Sequence, residues 1–308
     1  MYMNLLIATL FATTIISVMS GKDELSDPEK MMQSQVPLFT FAIIADVQYA
    51  DYEPAGTRFY RESLSKLREA MNSFREDSVD FVVNLGDIID RDFYSYKPVL
   101  NIIDSSRLKT FHVTGNHDYS VEPRMKKRLP LEQPSKDGYY SFKHKGFRFI
   151  FLNGNEISTY STTSRSTIGE AEKIIKALND SSEINAMEWN GGMSKKQIEW
   201  LAKQLTESAA ENERAFIFCH FPVVPENAHN LLNYKEVLAT LEKHHNVIAW
   251  LNGHNHAGNY GNFNLTHFVT FKGMVETADQ NSYAMIDVYR NKIWIRGSGR
   301  EKSLILAY

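Results

Sequence analysis

Five short polar blocks hold the residue types that could do chemistry: Asp46-Val47-Gln48, Gly86-Asp87-Ile88-Ile89-Asp90, Gly115-Asn116-His117-Asp118, His220-Phe221-Pro222 and Gly253-His254-Asn255-His256. Carboxylates, carbonyls and imidazoles are the donors that divalent cations take. Two such ions roughly 3.5–4 Å apart can clamp a phosphoryl group and also hold the attacking oxygen. Asp87 is the natural bridging carboxylate. Asp46 and His256 complete one site, and Asn116, His220 and His254 complete the other. Positions two apart in an extended segment face the same side, which brings His254 and His256 to the ions together. Gly115 and Gly253 permit close backbone approach. Any one block alone reads as a cap, a turn or a hydrogen-bonded histidine; the signal is five of them in order. Few negative charges would surround two dications, so the site attracts phosphate although the chain carries a net charge of −3.

The elements that must position these blocks are legible as short apolar runs, each ending at a polar cluster. Buried strands are expected over 39–45, 81–85, 110–113, 215–219 and 247–251. The blocks lie just past the strand ends, where open α/β sheets place their sites. Tyr60, Leu64, Leu67, Met71 and Phe74 fall at helical spacing between the first two runs, which makes a strand–helix–strand unit and hence a parallel pair. Ser194 and Gln197 form a capping-box pattern ahead of Ile198, Leu201 and Leu205. Two hairpins turn at Lys145-Gly146 and at Arg290-Asn291, so the sheets are mixed. The expectation is an α/β domain over 38–308, with an irregular insertion at about 154–190 that is long enough for a lid or substrate loop.

Ordinary apolar and charged fractions, 43% and 23%, exclude disordered and fibrous classes. The slightly acidic balance gives no reason to expect nucleic acid or an anionic membrane surface as a partner, and nothing bears on oligomeric state. Residues 5–18 are apolar or Thr/Ser, with no charge until Lys22. That reads as a signal peptide over 1–20, with cleavage leaving Gly21 first, although no Lys or Arg precedes the run. It is shorter than the roughly 20 residues of a spanning helix, so export is favoured over anchoring. Residues 21–37 read as a polar linker. The single cysteine, Cys219, sits in an apolar run and reads as a buried thiol without redox chemistry.

In order and residue type the blocks resemble the calcineurin-like metallophosphoesterases, whose pattern is D-x-H, G-D-x-x-D, G-N-H-[DE], H and G-H-x-H. The resemblance implies a four-layer α-β-β-α sandwich of two mixed sheets and a pair of divalent ions held by Asp46, Gln48, Asp87, Asn116, His220, His254 and His256. One block departs from the pattern. Gln48 stands where most members have histidine, and it offers either a neutral carbonyl ligand or a hydrogen bond to a ligand. The manganese-dependent ADP-ribose/CDP-alcohol diphosphatase branch is similar here, as it is at Gly56-Thr57-Arg58, Asn190-Gly191-Gly192, Asn233-Tyr234, 273–278 and 297–300. The loop between Asp51 and Gly56 is shorter than that branch has.

The branch implies manganese, with magnesium, iron or zinc as alternatives, and a small nucleoside diphosphate-linked substrate. The implied reaction is in-line attack on one phosphorus of the diphosphate by a hydroxide held between the ions. His117 would protonate or stabilise the leaving oxygen, and Asp118 would fix its imidazole. Arg58, Arg61 and Arg91 could grip a distal phosphate, and Tyr49 could flank the metals or stack on a base. A cyclic-nucleotide or general phosphodiesterase of the same superfamily is the alternative. A purple acid phosphatase would need tyrosine where Asp90 stands, and a metal-free interaction module would have lost ligands that are all present here.

Overall fold

The computed structural model describes residues 27–308, so the export segment expected at 1–20 lies outside the described residues. The chain divides into a unit ending at Val36 and one running from Pro37 to Tyr308. The first holds a two-turn helix, α1 (Asp27–Gln33), where an irregular linker was expected. Asp27, Pro28 and Glu29 in its first turn suit a helix start, a local signal that the polar composition masks.

From Pro37 onward, twelve strands form two six-stranded sheets. The first runs β12 (Leu304–Ala307), β11 (Lys292–Gly299), β10 (Ser282–Val288), β1 (Phe39–Ile44), β2 (Phe81–Asn84), β3 (Thr110–His112). The second runs β4 (Tyr140–His144), β5 (Phe147–Phe151), β6 (Arg214–Phe218), β7 (Val247–Asn252), β9 (Thr266–Thr270), β8 (Asn259–Phe263). β1, β2 and β3 are parallel, as are β5, β6, β7 and β9, while hairpin partners make both sheets mixed. The hairpin of β4 and β5 turns at Lys145 and Gly146, both at positive φ (47° and 83°), as a tight two-residue turn demands.

The strands read as unbroken apolar runs because both faces are covered. On β1, Phe39, Phe41 and Ile43 point into the layer between the sheets, while Ala42 and Ile44 point to the helices on the other side. Phenylalanines fill the inner layer. The Phe41 ring lies 5.3 Å from Phe81, 5.6 Å from Phe149 and 5.4 Å from Phe216, and such pairs add about 0.5–1.5 kcal/mol each beyond their burial. Over the first sheet lie α2 (Ser63–Glu76), packing through Leu67, Ala70, Met71 and Phe74, and α3 (Tyr96–Ser106), packing through Val99, Ile102 and Ile103. Over the second lie α5 (Lys195–Ala210), packing through Leu201 and Leu205, and α6 (Tyr234–Leu241), packing through Tyr234, Val237 and Leu241. The result is the expected four-layer α-β-β-α sandwich. Among the described residues, no helix is long and apolar enough to cross a membrane.

Three local readings need correction. Tyr60 precedes α2 and packs with Ala50 and Val275. The stretch 154–190 is not irregular throughout but contains α4 (Arg165–Asp180), whose buried residues are Ala171 and Ile175; so narrow an apolar stripe is a faint signal in sequence. At α5, Ser194 Oγ accepts from the Gln197 N–H as expected, but the return arm is not Gln197: the Ser194 N–H donates to Glu156 at 2.9 Å.

Burial has one consequence for stability that can be measured. His112 on β3 is buried beside Asn84, and burial pushes its imidazole down to about 4. The unfolded chain holds that proton up to about pH 6.5. The unfolded state therefore binds more protons between these values, and the stability present above pH 6.5 is lost as pH falls towards 4. In chelator, urea unfolding at pH 7.5 and 4.5 should show His112→Gln losing roughly 2–3 kcal/mol less than the parent chain.

Candidate metal centre

The loops after β1, β2 and β3 of one sheet meet the loops after β6 and β7 of the other, and all five polar blocks sit in those loops. The chain turns sharply there. Asp46, Gln48, Asp87 and His254 are in the left-handed region, with φ of 50°, 42°, 53° and 67°. Such residues cost about 1 kcal/mol or more each and persist only where the surroundings hold them. The Asp46 N–H donates to the Gly86 carbonyl and the Gln48 N–H to the Asp87 carbonyl, which locks the first two blocks together. A side chain at Gly115 would collide with the Asp87 carboxylate, and one at Gly253 with that of Asp46.

Asp87 is the shared element. Its Oδ2 lies 3.2 Å from Gln48 Nε2 on one side and 3.2 Å from His220 Nε2 on the other. Around Gln48 are His256, whose Nε2 is 3.1 Å from the amide, and Asp46, whose Oδ1 is 3.4 Å from that same nitrogen. Around His220 are Asn116 Oδ1 at 3.2 Å and His254 Nδ1 at 3.1 Å. The seven sequence candidates thus fall into two groups joined at Asp87: Asp46, Gln48 and His256, and Asn116, His220 and His254. Asp46, Gln48, Asp87 and His220 are fully buried.

The histidine tautomers are fixed by what lies behind each ring. His220 Nδ1 is 2.9 Å from the Leu85 carbonyl, which can only accept, so the proton sits on Nδ1 and the Nε2 lone pair faces the cluster. His254 Nε2 is 3.0 Å from Asn190 Oδ1. The Asn190 amide is itself fixed, because its Nδ2 donates to the Asn185 and Ala228 carbonyls at 3.0 and 2.8 Å. His254 therefore turns Nδ1 inward. His256 Nδ1 is 2.7 Å from Glu276 Oε1 and turns Nε2 inward. The His256 ring beside Glu276 holds that carboxyl down at about 2, so it is ionised.

Three inward lone pairs, two carboxylates and an amide carbonyl thus crowd one another; the Gln48 amide donates to Asp87 and lies against His256, and protons or cations must relieve the rest of the repulsion. Without cations, protons are drawn in: burial opposes charge on His220 and His256, but Asp87 lifts the pKa of the first to about 9 and Asp46 that of the second to about 9. Burial and the charged His220 then drive His254 well below its ordinary value. Gln48 Oε1 is buried without any hydrogen-bond partner. This donor set fits a pair of divalent cations, one held by Asp46, Gln48 and His256, the other by Asn116, His220 and His254, with Asp87 between them.

The cleft above this cluster, about 320 Å³, is lined by Gln48, Arg58, Asp87, Asn116, His117, Trp189, His229, His254 and His256. His117 donates its backbone N–H to Asp87 Oδ1 at 2.7 Å and turns its ring into the cleft. The expected partnership of His117 with Asp118 is not formed. His117 and Asp118 begin a 3₁₀ turn, in which neighbours point about 120° apart. His117 Nδ1 instead lies 3.0 Å from Asp90 Oδ1, close enough for an ion pair though not aligned as a hydrogen bond. Burial opposes charge on His117, but Asp87 and Asp90 outweigh it and raise its pKa. Asp118 faces the other way, accepting from the backbone N–H groups of Asp87, Ile88 and Gly115 at 2.9, 3.0 and 2.8 Å.

Of the four residues expected at the substrate, only Arg58 lines the cleft. Among the described residues its guanidinium has no hydrogen-bond or ion-pair partner. Arg61 is tied to Asp51 and Glu53 at 2.6 and 2.5 Å. Arg91 donates to the Tyr60 hydroxyl at 2.8 Å and lies over the rings of Tyr60 and Tyr52. Tyr49 packs against the core under α2 and α3. Trp189, His229, Asn190 and Glu276 were given no role from the sequence, and Asp90 was named in its block without one. Asn190 and Glu276 do fall in segments that carry the resemblance, whereas His229 has no signal there.

Fold and site together define a two-cation centre for phosphoryl hydrolysis. The chain belongs to the calcineurin-like phosphoesterase family, whose model matches residues 39–258; it is a metal-dependent hydrolase. It is similar to the human manganese-dependent ADP-ribose/CDP-alcohol diphosphatase, 30% identical over 334 residues that cover 93% of this chain and 97% of the relative. The Arabidopsis thaliana protein of the same name is 30% identical over 302 residues, covering 87% and 96%. A dimetal phosphatase from Danio rerio superposes with a TM-score of 0.80 at 29% identity, covering 88% of this chain and 99% of that one.

The opposite orientations of Asp118 and Asp90 can be separated by substitution. Asp118→Ala orphans three buried amides and should cost about 3 kcal/mol or more in urea unfolding. Asp90→Ala should cost less than half of that, because its partner His117 reaches the cleft.

Proposed function

We propose that this protein hydrolyses the diphosphate of nucleoside diphosphate-linked compounds such as ADP-ribose and CDP-alcohols, using two manganese ions. The observation that carries the reading is the two-group donor set around Asp87, with every histidine tautomer fixed so that its free nitrogen faces inward. The substrate class follows the similarity to diphosphatases of that name over nearly the whole chain. The seven ligands named above would hold the ions, which supply charge neutralisation on the phosphoryl oxygens and a nucleophile formed at neutral pH.

The chain's own residues complete the chemistry. Arg58, whose guanidinium has no hydrogen-bond or ion-pair partner among the described residues, offers a fork to a phosphate that the ions do not hold. Trp189, 47% exposed on the cleft, offers an apolar face to a base or sugar. His117, whose pKa Asp87 and Asp90 raise, would offer its proton in the cleft to the departing oxygen. A phosphomonoester leaves with a pKa near 6, roughly, and needs that proton less than an alkoxide does.

One substrate panel tests both parts. With manganese, purified protein should release AMP from ADP-ribose and CMP from CDP-choline faster than it cleaves a bis-alkyl phosphodiester or a cyclic nucleotide, and chelator should abolish release. Activity confined to simple or cyclic esters would leave the two-cation centre and remove the diphosphate assignment. On the same panel, His117→Ala should lose at least about tenfold more rate on the alkyl diester than on the diphosphates; equal losses would refute the acid role.

Export through the 1–20 segment is proposed on its apolar run alone. N-terminal sequencing of protein recovered outside the producing cell's cytoplasm should begin at Gly21. An intact Met1 on such protein would reject cleavage.

A further inference from the structure

The segment 273–277 runs from the His256 ring, against which Gly273 lies, into the core, where Met274 packs, and several strong contacts hold it. The Met274 and Val275 N–H groups donate to the Ala45 and Asp46 carbonyls at 3.0 Å each. The Phe59 N–H donates to the Val275 carbonyl at 2.9 Å and the Thr277 N–H to the Thr57 carbonyl at 3.1 Å, so the segment pairs with the strand that brings Arg58 to the cleft. From α2, Lys66 reaches across and donates its Nζ to the Glu276 and Thr277 carbonyls at 3.1 and 2.9 Å. Lys66 is only 4% exposed. Burying an ammonium group that carbonyls alone receive is costly, and the cost has to be set against what the segment does.

What it does is aim one carboxylate at one metal-facing histidine: Glu276 Oε1 sits 2.7 Å behind His256. The three histidines are not supported alike. His220 leans on a backbone carbonyl and His254 on a neutral amide, whereas His256 alone has an anion behind it. His256 belongs to the group that contains Gln48, where most members of the family have histidine; a neutral amide there binds a cation less strongly than an imidazole would. A carboxylate behind an imidazole fixes its orientation and raises its basicity towards a metal.

Building on the two-cation reading, we propose that Glu276, anchored by Lys66, is the positioning residue that sets the affinity of the first cation site, the one formed by Asp46, Gln48 and His256, and leaves the second site unaffected. Glu276 is not a ligand and does not touch substrate. It offsets the weak amide donor by strengthening the imidazole opposite.

The test is titration of the chelator-treated full chain with Mn²⁺, counting free ion by electron paramagnetic resonance. The parent should bind two ions. Glu276→Gln should weaken one of them by about 10- to 100-fold and leave the other within a factor of about two. Glu276→Asp should restore part of the loss. Lys66→Met should weaken the same ion by a smaller factor. Diphosphate cleavage by Glu276→Gln should recover at high Mn²⁺ with an unchanged KM for substrate. Far-UV circular dichroism and the urea midpoint in chelator show whether each variant folds, and if Lys66→Met does not, the two Glu276 variants decide. A folded Glu276→Gln that keeps both affinities, or loses both equally, overturns the proposal. A parent chain that fails to bind two ions would instead remove the two-cation reading itself.

Discussion

The mutual repulsion of inward-facing donors is the constraint on which the site depends. Asp46, Asp87 and three imidazole lone pairs converge where the ends of two sheets meet, each within 3.4 Å of another member of the set. Left to themselves such groups would turn away or take up protons. They stay because each is gripped from behind: His220 by Leu85, His254 by Asn190, His256 by Glu276, and Asp87 by the His117 amide. The grips come from both sheets and from the insertion before α5, so the sandwich is the jig that holds a cation site open. The four left-handed residues belong to the same account, since strain there persists only where the surroundings overdetermine the backbone.

Asp118 explains how that strain is held. Its carboxylate collects three amides from two loops of the first sheet and fixes the turn that carries Asp87. Asp87 in turn presents one oxygen to both donor groups. A displacement of that oxygen disturbs both groups together, whereas a change behind His256 or His254 reaches one group only. Support of the site is therefore hierarchical, with a common base and separate branches.

Nine of the twelve strands, the first parallel pair, both hairpins and the gathering of the five polar blocks were legible because they rest on local rules: apolar runs covered on both faces, turn residues at fixed offsets, and polar clusters placed just past strand ends; β8, β9 and β12 were not expected. What escaped depended on direction or on contacts distant in sequence. His117 and Asp118 are neighbours in sequence, which suggests a pair, but the 3₁₀ turn sends them apart and hands His117 to Asp90. Arg61 and Arg91 have the right chemistry for phosphate and lie close to the blocks, yet acids and tyrosines nearby in the chain claim them. Asn190 and Glu276 do their work from 64 and 20 residues away from the histidines they hold, a separation no spacing rule reads. α4 was missed because only a narrow stripe of it is buried.

Net charge and site charge point in opposite directions, and the structure reconciles them by distance. The chain carries −3 overall, but the two carboxylates within the donor set would face two dications, so the floor of the cleft is positive once they are bound. Arg58 at its wall is held in place through backbone pairing with Glu276 and has no ion-pair partner among the described residues. At physiological ionic strength the surface charges are screened within about 8 Å, so an anionic substrate inside the cleft meets mainly the ions, Arg58 and His117. The acidic exterior therefore does not exclude a diphosphate. The groups an anion would meet there lie close together, and the neighbouring carboxylates of Asp90 and Glu276 are engaged by His117 and His256.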